Sequence, residues 1–145
     1  MKKLIVILVI AAALFGLAAN IRAEDAFVRV TTTPDELDLG TSSFWGEYES
    51  PSVLTVNVES NCPHGSIVAS ITTLKNRKGG AITPDRIFIE TEATGGFVPM
   101  AAPVRISEPA AGSHNIQLKV KVNTSIGDRS GNYSGALMFT IAPLA

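Results

Sequence analysis

The stretch HNIQLKVKVN, residues 114–123, decides the fold. Ile116, Leu118, Val120 and Val122 fall at every second position, with Gln117, Lys119, Lys121 and Asn123 between them. Successive side chains of a strand point to opposite faces, so this period of two describes a half-buried antiparallel strand with one apolar and one wet face. Residues 133–141 repeat the pattern. Tyr133, Leu137, Phe139 and Ile141 share a face with Gly135, and Ser134, Ala136, Met138 and Thr140 take the other.

Shorter β-rich runs precede these two. They lie at residues 26–32, at Leu37 and Leu39, at residues 53–60 with Leu54, Val56 and Val58 on one face, and at residues 66–74. Residues 86–91 carry Ile87 and Ile89 together, and residues 104–107 form one more run. Turn residues separate them: Asn61 with Pro63 and Gly65, Gly79-Gly80, Gly95-Gly96 and Gly112-Ser113. No stretch carries apolar residues at helical spacing. Short strands at this interval predict an all-β chain, an immunoglobulin-like antiparallel sandwich of about seven or eight strands. Thr-Pro-Asp occurs twice, at residues 33–35 and 83–85, each time ahead of an apolar alternation. Proline sets φ and aspartate bonds back to its own backbone, so turn chemistry accounts for the repeat.

The N-terminus reads differently. Lys2 and Lys3 precede an uncharged run over residues 4–19, and Ile21-Arg22-Ala23 offers a small residue at the cut. A basic start, an apolar centre and a small residue at the cut are the marks of a secretory signal peptide. The run is shorter than the ~20 residues a membrane span needs. The expectation is a signal peptide over residues 1–23, cleaved after Ala23, and one domain over residues 24–145, secreted, periplasmic or at the cell surface. Without Lys2, Lys3 and Arg22, 9 of the 12 basic residues face 13 acidic ones, a net charge of −4. That balance argues against nucleic acid and against an anionic membrane as partners.

The closing stretch GNYSGALMFTI, residues 131–141, resembles the last strand of exported bacterial sandwich domains, among them spore-coat-U-type and fimbrial subunits. The resemblance covers only the end of the chain. It implies an exported, immunoglobulin-like and non-catalytic domain. Fimbrial subunits commonly carry a disulfide, which this chain cannot form internally because Cys62 is its one cysteine. Asp128 and Tyr133 also come close to the tyrosine corner of immunoglobulin-type domains, but with one residue too many between Asp128 and Gly131. The segment is read instead as the loop of a terminal hairpin, with the Tyr133 ring turned inward and its hydroxyl in water.

The chemistry-bearing residues are few. Cys62 and His64 lie two apart, and His114 is the only other histidine. Structural zinc wants four such ligands, so no metal and no cofactor are expected. Cys62 is read as a small strand-end residue or, in an oxidising compartment, as half of an intermolecular disulfide. The acidic groups at Asp35, Glu36 and Asp38 and at Glu47 and Glu49 lack the spacing of a calcium loop. The basic turn KNRKGG, residues 75–80, is read as solvated. No nucleophile elbow, phosphate loop or zinc-protease motif occurs, so no enzyme is expected. Phe44, Trp45 and Tyr48 sit in a stretch rich in Ser, Gly and Glu and form the candidate ligand-binding set. The first functional expectation is a structural or protein-interaction domain that binds a protein partner or itself. The alternative is a small carbohydrate-binding module that stacks sugar on those aromatics.

Overall fold

The computed structural model describes residues 4–12, 26–42 and 45–142. The expected cut after Ala23 and the start of the mature domain lie outside them, as does Phe44. Strands in chain order are β1 (Leu4–Ala12), β2 (Val28–Thr33), β3 (Glu36–Ser42), β4 (Gly46–Glu49) and β5 (Leu54–Ser60). Then come β6 (Pro63–His64), β7 (Ile67–Ile71), β8 (Leu74–Lys75), β9 (Ala81–Ile82) and β10 (Ile87–Glu90), the last entered through a 3-10 turn at Pro84–Arg86. The chain closes with β11 (Val98–Pro99), β12 (Val104–Ser107), β13 (Ala110–Ala111), β14 (His114–Thr124) and β15 (Gly131–Ile141).

The all-β expectation holds, and the antiparallel sheets form a sandwich-like arrangement. One sheet runs β12-β7-β15-β1-β3, with β8 beside β15 and β9 beside β8. The other runs β11-β10-β14-β5-β2, with β4 also on β14. A two-stranded ribbon pairs β13 with β6. There are more strands than the sequence suggests, because two-residue pieces such as β6, β8 and β9 carry no period to read.

The alternation of β14 sets the second sheet. Ile116, Leu118, Val120 and Val122 are all buried. Across the ladder they meet Val56, Leu54, Ile89 and Ile87, which are buried too. In the first sheet β15 sets Leu137 against Ile71 and Phe139 against Ala69, a large ring beside a small residue. Gly135 lies on that inner face, where Leu74 Cδ2 fills the space a Cβ would need. The two inner faces close one core. Each large side chain fully buried there contributes about 1.5–3 kcal/mol of transfer free energy.

Residues 4–12 of the apolar run read as the centre of a signal peptide form β1, a strand inside the first sheet. It pairs in parallel with β15 along its whole length, from Leu4 opposite Gly131 to Ala12 opposite Phe139. On its other edge it pairs antiparallel with β3, with Leu8 opposite Leu37 and Ile7 opposite Asp38. Among the described residues, strand β3 joins the sheet only through β1. Both Thr-Pro-Asp segments are turns that lead into strands, β3 and β10. Among the described residues no helix is long and apolar enough to cross a membrane.

Candidate functional site

The candidate aromatic set divides. Gly46–Glu49 is a strand, not a loop, and its register places Tyr48 opposite Val122, on the core side. The Tyr48 hydroxyl rests over Gly40, at the point a Cβ would occupy, and Gly40 has φ of +85°, which a side chain would resist. Trp45 precedes the strand and is 65% exposed. Glu47 is held to Lys121 at 3.5 Å. A shared stacking platform of Trp45 and Tyr48 is therefore not what the register builds. A different apolar residue belongs to the same end of the sheet. Gly46 pairs with Thr124, its N–H donating to Thr124 Oγ1 at 3.1 Å, so the segment beyond β14 begins at the same end. Ile126 lies there and is 71% exposed. Sequence reading passed over Ile126 because it is one apolar residue in a polar loop. The antiparallel ladder brings it to the end where Trp45 stands.

The outer face of β14 is less uniform than its alternating lysines suggest. Lys119 reaches Glu90 at 3.8 Å and stays half exposed. Lys121 lies over the rings of Phe88 at 5.2 Å and Phe97 at 4.7 Å, with only 18% of its side chain exposed. An ammonium above aromatic faces is attracted by the ring quadrupole. The expectation of a fully wet face is thus corrected at Lys121, because Phe88 is its cross-strand partner in β10.

The hairpin loop between β14 and β15 is a built structure. Arg86 Nη1 donates to Asp128 Oδ1 at 2.9 Å, Nη2 bonds Oδ2, and Arg86 Nε donates to the Asn123 carbonyl at 3.1 Å. The Ser125 N–H donates to Asp128 Oδ2 at 2.6 Å. Burial pushes the Asp128 carboxyl up, but the bonds from Arg86 and Ser125 outweigh it, and its pKa lies below the usual 3.8. The hydrogen bond to Asp128 in turn raises the Arg86 pKa against its burial. Tyr133 is fully buried, and its hydroxyl donates to the Arg129 carbonyl four residues back at 2.6 Å. The reading of a wet hydroxyl is corrected. The contact is that of a tyrosine corner, made despite the extra residue, because a hydroxyl buried with its ring must find an acceptor. Burial first, and the Asp128 charge next, push the Tyr133 pKa up.

Both histidines meet. His64 and His114 stack with ring centroids 5.4 Å apart and planes 8° from parallel. His64 is buried, and its Nδ1 donates to the Gly65 carbonyl at 2.8 Å. His114 Nε2 lies 3.2 Å from the Ser107 hydroxyl. Cys62 is a free thiol of intermediate exposure, its sulfur 3.7 Å from the Phe27 carbonyl. Among the described residues no group of three or more His, Cys, Asp and Glu side chains could hold a metal ion.

No family model and no curated protein matches the chain. Among solved structures it is similar to a family 123 glycoside hydrolase from Clostridium perfringens, at 18% identity and a TM-score of 0.41 over 70% of this chain. The chain spans 19% of that protein's length.

Proposed function

We propose that this chain is an exported structural or protein-interaction domain without catalytic activity, a surface, coat or fimbria-like subunit. The observation that carries the reading is the apolar end at Trp45 and Ile126, 65% and 71% exposed, where β4 and β14 bring the two residues to one edge of the sandwich. Large apolar side chains gathered in water favour contact with another protein. The polar residues nearby are engaged internally, Glu47 with Lys121 and Thr124 with Gly46. That favours a protein over a sugar, whose hydroxyls need such groups to accept and donate.

Sedimentation of the purified protein beside its Trp45→Ser and Ile126→Ser variants tests this. Wild-type self-association or partner capture that both variants lose, with Tm unchanged, supports the reading. Binding on a glycan array that Trp45→Ala abolishes would instead promote the carbohydrate-binding alternative. Trp45 serves that alternative because indole faces stack on sugar rings.

A further inference from the structure

We infer that the place between β15 and β3 is an acceptor site for an extended strand of another polypeptide, held by Leu4–Ala12 only until the leader is removed. The inference rests on the export reading above. Nine consecutive residues of β15 have β1 as their partner on one edge, and among the described residues β3 has β1 as its only partner in the sheet. A cut after Ala23 would free that segment from the domain. It would leave a nine-residue edge of β15 and the facing edge of β3 with unpaired N–H and C=O groups. The two strands that form those edges carry Tyr133, Leu137, Phe139, Leu37 and Leu39, all buried with β1 in place. An open edge of this length over an apolar floor is a template for strand addition, in which main-chain bonds give affinity and alternate side chains give specificity.

The segment now seated there defines the chemistry of its successor. The sequence LIVILVIAA is nine residues long, uncharged and aliphatic. It runs parallel to β15 and antiparallel to β3. The residues opposite Tyr133, Gly135 and Leu137 are Val6, Leu8 and Ile10. A partner strand must match this with aliphatic residues at alternate positions, no charge and no proline. A second mature copy does not offer one from its N-terminus. Only Glu24, Asp25, Ala26 and Phe27 precede β2, and two of those four are acidic.

The test uses the full chain with a specific protease site placed between residues 13 and 23. After cutting, the protein is mixed with an excess of isotope-labelled peptide LIVILVIAA carrying lysines at both ends for solubility, and followed by native mass spectrometry and thermal melting. The expected result is one-to-one exchange of the fragment for the peptide. Displacing the fragment without replacement should lower Tm, and adding peptide should restore it by about 5 °C or more. A peptide with proline at the position of Ile7 should neither exchange nor restore, because proline has no N–H to give the ladder at that position and is not tolerated inside a sheet. Cut protein that loses its fragment, keeps its Tm and ignores the peptide would overturn the inference. So would precipitation that the peptide does not prevent. The intact mass of the exported chain reports the export reading separately. A chain that keeps Lys2 and Lys3 overturns that reading, whereas peptide exchange still reports whether the site accepts a strand.

Discussion

The two sheets of this sandwich are built from different kinds of sequence. The β2-β5-β14-β10 order joins strands that all lie between residues 28 and 124, and alternating side chains decide each partner. The β7-β15-β1-β3 order passes through a segment separated from the rest by residues 13–25. In the first case apolar period and register agree within the domain. In the second, the sheet borrows a uniformly apolar run whose sequence reads as a leader. A sheet closed by its own alternation is a finished surface. One closed by a strand that the cut proposed after Ala23 would free is, on that proposal, a place where another chain can enter.

The largest effect should come from the core that both sheets share. Phe139→Ala should cost about 3–5 kcal/mol, the lost transfer energy plus the cavity left beside Ala69, and a urea melt measures it. That is a large part of the roughly 5–15 kcal/mol by which such a domain is stable.

Breaking the loop that ties the second sheet to β15 comes next. Arg86→Ala removes three hydrogen bonds and should cost about 2 kcal/mol, read the same way. Its pH signature is specific. The folded-state pKa of Asp128 lies below its unfolded value, so the carboxylate contributes stability that is complete above the usual 3.8 and is lost as pH falls through the folded value. Melts of wild type and Arg86→Ala should therefore converge in acid and diverge toward neutral pH. Parallel curves over that range would contradict the role given to Asp128.

The smallest effects separate two lysines on one strand. Lys121→Ala should cost about 1 kcal/mol, because the ammonium lies over two rings and its stem is covered. Lys119→Ala should stay within about 0.5 kcal/mol, since its pair with Glu90 is half exposed. Equal costs in a urea melt would mean that Phe88 and Phe97 do not hold Lys121.

These residues also mark what the sequence made legible. The alternations of β14 and β15, and of Leu54, Val56 and Val58 in β5, announced strands and their buried faces, because burial on one side imposes the period directly. The tyrosine corner was hidden by one extra loop residue, which the backbone absorbs while the buried hydroxyl still seeks an acceptor. Lys121 looked like its neighbour Lys119 because the two rings beneath it come from β10 and from the loop after it, at a distance in sequence. The placing of Trp45 and Ile126 at one end depends on the β4–β14 register, and the stacking of His64 on His114 depends on the ribbon and the start of β14. A run of nine apolar residues has no period at all. It is compatible with a leader and with a fully buried strand, and only its two edges in the sheet show what it does there.

Hydrogen exchange on the cut chain tests the central claim most directly. The amides of β15 and of β3 that point toward β1 should be protected while the segment is bound, and should exchange rapidly once it is displaced. The β14 amides and the β15 amides bonded to β7 should stay slow. Protection of β15 and β3 that is unchanged after the segment has left would contradict the account, because the sheet would then be closed without it.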